Sequence, residues 1–167
     1  MCQFASAFFK PSTMEVVVAD LRSHGNTQEQ LKLTDGTRPD GWREMHYTPT
    51  GEVTCRCLDG DTHTEKECGS AIRARWPTFI GFLSWALAQP TIDLGGYLAL
   101  GGLTSAKGLV LPQSIGGSLA LGGLTSAEGL VLPQSIGGYL YLGGLTSLPA
   151  GIPKGTHVWL KTGRVPA

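Results

Sequence analysis

The sequence predicts a small α+β cap domain over residues 1–90, followed by a short β-rich solenoid over residues 91–167. The first observation is a repeat: Gly95, Gly116 and Gly137 start copies of one pattern at intervals of 21 residues. A fixed period of this size is typical of a solenoid, in which each copy forms one coil stacked on the last. The second is composition, because 17 of the 24 glycines follow residue 90. The third is charge, because 11 of the 13 Asp and Glu residues precede it.

Strand and turn signals alternate in the first part of the cap. Two apolar runs, Cys2–Phe9 and Glu15–Asp20, predict a β-hairpin. The runs Trp42–Tyr47 and Glu52–Leu58 flank a turn that contains Pro and Gly, and they predict a second hairpin. Between the two hairpins, Asn26–Leu33 predicts a short helix with its first residue as the N-cap.

Two further helices are predicted after the second hairpin. Thr64 and Glu67 have the spacing of a capping box, which predicts a helix that continues to about Arg75. Pro77 stands where the next helix begins. That helix, Thr78–Gln89, is apolar almost all round, so it should be buried on more than one side. Because the first coil of a solenoid exposes an apolar end, we expect this helix to cover that end.

Each repeat contains a strand whose leucines alternate with other residues, and a period of two places them on one inward face. Further leucines in the following segments complete the predicted core. The inward set is Leu98, Leu100, Leu103, Leu109, Leu111, Leu119, Leu121, Leu124, Leu130, Leu132, Leu140, Leu142 and Leu145. The glycine pairs predict tight turns at positive φ. The last copy is shortened, because aligning residues 138–142 with 156–160 requires the deletion of three residues.

The strand pattern, the Leu-Thr-Ser step and the Leu-Pro bend resemble the short leucine-rich repeats of bacterial effector proteins, over residues 94 to about 160. The resemblance implies a horseshoe of leucine-rich-like repeats. Gly101 and Gly102 replace the asparagine that usually follows the strand, so a glycine-rich β-helix-like coil is the alternative. In the cap, residues 23–26, 42–47 and 75–79 are similar to segments of small uncharacterised phage and prophage proteins.

The outward strand positions change along the repeats. One aligned column reads Tyr97, Ser118, Tyr139 and His157, and the other reads Ala99, Ala120, Tyr141 and Trp159. Tyr and Trp bury much area at low entropic cost and are common interface anchors. We therefore expect one set to bind a partner, and we call it the aromatic face: Tyr97, Tyr139, Tyr141, His157 and Trp159. Covering the end of the solenoid, or packing against a second copy of the chain, is the alternative.

These features predict a non-enzymatic protein-binding module. The net charge of zero and the lack of a basic block argue against a nucleic-acid binder. No apolar run is long enough for a membrane span, and the first residues do not form a signal peptide, so we expect a cytoplasmic protein with reduced cysteines. The resemblance to phage proteins implies a phage-encoded inhibitor that occludes a host protein, a defence protein being one candidate. A self-assembling structural protein is the alternative.

Two other functions are alternatives. In an N-terminal-nucleophile hydrolase, removal of the first methionine would expose Cys2, with its thiol as nucleophile and its α-amino group as base. His24 or His46 could assist. We prefer the interpretation of Cys2 as a small apolar residue at the start of a buried strand. The other alternative is a small ligand held between cap and solenoid, near Trp76 and Trp85.

Residue types that ligate metals occur around residue 60. Asp59, Asp61 and His63 could surround one cation, but they also suit a polar turn before a helix with an acidic first turn. Cys55 and Cys57, with His63 and Cys68, are zinc-type ligands, but the Cys-x-Cys spacing is shorter than that of a zinc knuckle. The glycine pairs lack the pattern of a phosphate-binding loop. We therefore predict neither a metal nor a cofactor.

Overall fold

The computed structural model describes residues 5–18, 32, 41–90, 92 and 96–166. The chain divides into two compact units, residues 1–92 and 93–167. In the described residues it is a mixed α and β protein, mostly strands, with two helices. Cys2, His24 and the helix predicted over Asn26–Leu33, apart from Lys32, lie outside the described residues.

The first unit contains a four-stranded antiparallel sheet. Its strands are β1 (Ala5–Lys10), β2 (Glu15–Val17), β3 (Arg43–Tyr47) and β4 (Val53–Cys55), in the order β2-β1-β3-β4. β1 pairs with β2, and β3 pairs with β4, which confirms both predicted hairpins. The central pairing of β1 with β3 joins the hairpins into one sheet.

Both helices after the sheet begin at a threonine cap. Helix α1 spans Glu65–Arg75 and helix α2 spans Phe79–Leu87. The Thr64 hydroxyl accepts from the Glu67 N–H, and a Glu67 carboxylate oxygen accepts from the Thr64 N–H over 2.8 Å, so the predicted capping box is confirmed. Helix α2 buries five of its side chains, as its apolar sequence predicts: Phe79, Phe82, Leu83, Ala86 and Leu87.

The core of the first unit forms between the sheet and these helices. Tyr47 at the end of β3 is fully buried, and its hydroxyl donates to the Trp76 carbonyl over 2.7 Å. Its ring contacts those of Phe79 and Phe82, with centroids 5.8 and 5.4 Å away. This one side chain therefore links the sheet to the connection between the helices and to α2.

The second unit is a ladder of short strands. They are β5 (Leu98–Ala99), β6 (Ser114–Ile115), β7 (Leu119–Ala120), β8 (Ser135–Ile136), β9 (Tyr139–Leu142), β10 (His157–Leu160) and β11 (Gly163–Pro166). Five of them form one sheet in the order β11-β10-β9-β7-β5. All its pairings are parallel except that of β10 with β11, which is an antiparallel hairpin. Strands β6 and β8 pair in parallel as a second, two-stranded sheet.

The strand register follows the sequence repeat. Leu98 lies opposite Leu119, and Leu119 lies opposite Leu140, so paired residues are one 21-residue period apart. At the last step Leu140 lies opposite Val158, which is an offset three residues shorter. The shortening predicted for the last copy is therefore confirmed.

The inward leucines form the core of the second unit. Those in the strands or directly after them, together with Leu103, Leu109, Leu124 and Leu145, are buried as predicted. The prediction is wrong in degree for Leu111, Leu130 and Leu132, which are only half-buried. These three neighbour Val110 and Val131, whose side chains are 66% and 73% exposed, so this side of each repeat is less covered.

The glycine pairs have a different role from the one predicted. None of those in residues 101–144 has a positive φ; in the second unit that conformation belongs to single glycines, namely Gly108, Gly129, Gly151, Gly155 and Gly163. The pairs are instead places where one copy of the repeat approaches the next. A Cβ on Gly123 would lie 2.2 Å from the Gly101 carbonyl oxygen, and one on Gly144 would lie 2.1 Å from that of Leu124. Only a residue without a side chain fits at these contacts.

Candidate binding surface

Strand alternation builds the aromatic face. On β9 and β10, Leu140, Leu142, Val158 and Leu160 are buried, so the residues between them point to the opposite side of the sheet. Those residues are Tyr139, Tyr141, His157 and Trp159. The pleat of two adjacent parallel strands therefore brings four large side chains onto one surface.

The register places these side chains next to one another. Tyr139 lies opposite His157, and Tyr141 lies opposite Trp159. The ring centroids of Tyr139 are 5.8 Å from His157 and 5.9 Å from Tyr141. The predicted columns are therefore present in the structure and in contact with each other.

Tyr97 joins the same surface across an intervening strand. Its ring lies 6.2 Å from that of Tyr141, edge to face. Tyr97 precedes β5 and Tyr141 belongs to β9, and β7 lies between them. The two tyrosine rings can meet across β7 because the residues between them on this face, Ser118 and Ala120, have small side chains. All five predicted residues of the aromatic face therefore lie on one side of the sheet.

Much of the face is accessible. Tyr97, Tyr139 and Trp159 are exposed by 45%, 41% and 39%. The backbone under them is fixed by the ladder, for example by the Leu121 N–H donating to the Tyr141 carbonyl over 2.8 Å. The Tyr139 N–H also donates to the Ser118 hydroxyl over 2.9 Å. These rings therefore stand on a rigid backbone, which lowers the entropic cost of binding.

Arg164 is a member of this surface that the sequence reasoning missed. It lies on β11, opposite Trp159, and its Nη2 donates to His157 Nδ1 over 3.0 Å. The sequence signal for this strand was Gly163, since glycine favours the turns that join hairpin strands. In the structure Gly163 has a φ of 113°, and the chain returns beside β10. Arg164 places a positive charge at the edge of a surface made of tyrosine, tryptophan and histidine side chains.

The residues proposed for a cation site are used differently. The Asp61 carboxylate accepts from Arg43 Nε over 2.7 Å and from Nη2 over 2.5 Å, and both side chains are buried. It also accepts from the Leu58 N–H over 2.8 Å. Asp59 is exposed and His63 is half-buried. Among the described residues, no three His, Cys, Asp or Glu side chains are grouped to hold a metal ion.

The three cysteines that the structure describes are free thiols. Cys55 and Cys68 are buried and Cys57 is half-buried. Burial raises the pKa of Cys55 and that of Cys68 to about 12, so both are protonated at neutral pH. His46, the described histidine of the proposed hydrolase, lines a groove of about 300 Å³ with Glu44, Cys55 and Glu65. Because the buried Cys55 thiol is protonated at neutral pH, it offers too little thiolate to act as a catalytic nucleophile in this groove.

No family model, curated protein or solved structure matches the chain. In the part of the chain that the structure describes, no helix has the length and apolar character needed to cross a membrane. The geometry of the chain itself therefore carries the functional argument.

Proposed function

We propose that this protein is a non-enzymatic protein-binding module that occludes its partner through the aromatic face. The observation that carries the proposal is the connected set of exposed and half-buried rings of Tyr97, Tyr141, Tyr139 and His157, with the exposed Trp159 opposite Tyr141. Large, partly exposed aromatic side chains in contact with each other are typical of the centre of a protein interface.

The polarity of the surface favours a protein over a nucleic acid as partner. The aromatic face itself contains only neutral tyrosine and tryptophan side chains and one histidine, with Arg164 at its edge. A nucleic-acid site needs several cations to neutralise phosphates. The tyrosine hydroxyls and the tryptophan N–H add hydrogen-bonding groups, which suit the mixed surface of a folded protein.

We further propose that the second unit is a short solenoid of leucine-rich-like repeats. Its support is the parallel pairing of β5, β7 and β9 at a 21-residue offset, with leucines on the inner side. In biological terms the proposal is a phage-encoded inhibitor whose partner is a host protein, such as a component of a defence system. Such an inhibitor needs only a rigid surface, since occlusion requires no chemistry.

The test uses the triple variant Tyr139→Ala, Tyr141→Ala and Trp159→Ala. Tagged wild-type protein captures partners from host cells, and the captured protein is then purified and its Kd measured by calorimetry. Loss of a hot spot costs about 2 kcal/mol or more, so we expect the Kd to rise at least ~30-fold. Circular dichroism and thermal melting check that the variant is folded.

The matched control is the double variant Val110→Ala and Val131→Ala. These valines are also exposed and apolar, and they belong to the same unit, but they lie outside the five-stranded sheet. We expect this variant to bind like the wild type. A folded triple variant that binds its partner undiminished contradicts the proposal. Light scattering that shows a dimer for the wild type and a monomer for the triple variant assigns the face to self-association instead.

A further inference from the structure

Two cysteines of the first unit lie side by side. Cys57 follows the end of β4 by two residues, and Cys68 is the fourth residue of α1. Their Sγ atoms are 3.6 Å apart, although the residues are 11 positions apart in sequence. The turn between them includes Asp61, which is held by Arg43, and the capping box of α1. The backbone that carries the two thiols is therefore fixed by contacts independent of the thiols.

We infer that Cys57 and Cys68 form an oxidative modification site, which closes to an intrachain disulfide by exchange with a small-molecule disulfide. In the first step the Cys57 thiolate attacks one sulfur of the oxidant, forming a mixed disulfide and releasing one small thiol. In the second the Cys68 thiolate attacks the Cys57 sulfur and releases the other small thiol. The two cysteines lose two protons and two electrons, and the oxidant is reduced to two thiols.

Access to the pair favours Cys57 as the residue that reacts first. Cys57 lines a groove of about 420 Å³ formed with residues 58–65 and Glu67, whereas Cys68 is fully buried. Asp59, Glu65 and Glu67 also line this groove. Because these carboxylates repel an anionic oxidant, a cationic disulfide such as cystamine is the suitable probe.

The chemistry of the thiols favours a stable link over a catalytic one. Burial raises the pKa of the Cys68 thiol to about 12 and raises the pKa of the Cys57 thiol as well. Strongly oxidising dithiols are those whose reduced form is stabilised as a thiolate, and these thiols lack that stabilisation. The closed form should therefore resist reduction once it has formed.

The experiment treats the wild-type protein with cystamine at about pH 9, where the thiolate fraction of both cysteines is larger than at neutral pH, and maps its disulfides by mass spectrometry of non-reduced peptides. We expect a cross-link between Cys57 and Cys68 with no retained cysteamine. We also expect the Tm to rise by about 5 °C or more, because the link closes a short loop in the unfolded chain. A cysteamine adduct that persists on the wild type, a link from either residue to Cys55 or Cys2, or an unchanged mass overturns the inference.

Two variants separate the steps. Cys68→Ala should stop at the mixed disulfide, so that Cys57 retains one cysteamine. Cys55→Ala is the matched control, since it removes a buried neighbouring thiol and leaves the pair in place; it should still form the same cross-link. The mapping on the wild type decides the question even if either variant is poorly folded.

Discussion

At the scale of single residues, we expect the buried ion pair of Arg43 and Asp61 to be sensitive to substitution. The guanidinium meets both carboxylate oxygens, and the two side chains are 3% and 0% exposed. Removing one partner of such a pair leaves an unpaired buried charge. We therefore expect Asp61→Asn to lower the free energy of unfolding by about 3 kcal/mol in urea denaturation.

The neighbouring carboxylate provides the control for this ion pair. Asp59 is exposed and belongs to the same turn. Asp59→Asn should change the free energy of unfolding by less than about 0.5 kcal/mol, which is usual for surface substitutions. Equal losses in the two variants contradict the role given to the pair.

The buried thiols predict a loss of stability at alkaline pH. Burial raises the pKa of Cys55 to about 12, above the ordinary value of 9.0 that it has in the unfolded chain. A group with a raised native pKa stabilises the fold fully below its unfolded pKa, and this contribution is lost as pH rises from about 9 to about 12. The free energy of unfolding should therefore fall with pH in this range.

A variant assigns part of this alkaline loss to Cys55. Burial also raises the pKa values of Cys57, Cys68 and Tyr47, so the wild-type slope has contributions from all four groups. In Cys55→Ala the slope between pH 9 and 11 should be shallower than in the wild type, whatever the stability at neutral pH. A slope equal to that of the wild type shows that this thiol does not titrate as described.

At the scale of elements, the capping box makes α1 sensitive to acid. Hydrogen bonds from the backbone and the side chain of Thr64 lower the pKa of Glu67 below its ordinary value of 4.5. A lowered native pKa contributes stability above the unfolded value, and this is lost as pH falls through the native value. Since glutamine also serves in a capping box, Glu67→Gln should reduce the acid dependence of unfolding below about pH 4.5 while α1 is kept. If the free energy of unfolding of this variant falls with decreasing pH as steeply as that of the wild type, Glu67 does not have this role.

The glycine pairs allow a matched test of the ladder. Gly143 and Gly144 are adjacent, but a Cβ on Gly143 meets nothing within 4 Å, whereas one on Gly144 would lie 2.1 Å from the Leu124 oxygen. Gly144→Ala should therefore lower the free energy of unfolding by about 1–3 kcal/mol or more, as overpacking does. Gly143→Ala should have a much smaller effect in the same denaturation assay. Similar losses in both variants would falsify the close-approach account.

Local patterns predicted most elements and missed contacts between distant residues. Capping residues and periods of two predicted both hairpins, both described helices and most of the inward leucines, because these signals lie within a few residues. Positive φ was assigned to the wrong glycines, because the close approach at Gly123 and Gly144 depends on the preceding repeat. Arg164 was missed because β11 follows the last repeat and has no counterpart in the period. The ion pair of Arg43 with Asp61 joins residues 18 positions apart, which no spacing rule indicates.

At the scale of the whole molecule, charge and the aromatic face together predict how binding responds to salt. The net charge is zero, and the face is uncharged apart from the histidine within it and Arg164 at its edge. Apolar contacts are not screened by ions, whereas contacts between exposed charges are. The Kd for the captured partner should therefore change by less than about threefold between low and physiological salt. A decline in affinity that is linear and steep in the logarithm of the salt concentration points to a polyanionic partner instead.

The antiparallel strand β11 has a consequence for the number of repeat copies that the second unit can contain. A parallel ladder exposes an edge that another strand could extend, and β11 occupies that edge on β10. The last residue of β11 is Pro166, which has no N–H to offer a further strand. Additional 21-residue copies can therefore be inserted between β5 and β9 without disturbing the terminator. Duplication of a copy within the ladder would lengthen the sheet and leave the same hairpin of β10 and β11 at its end.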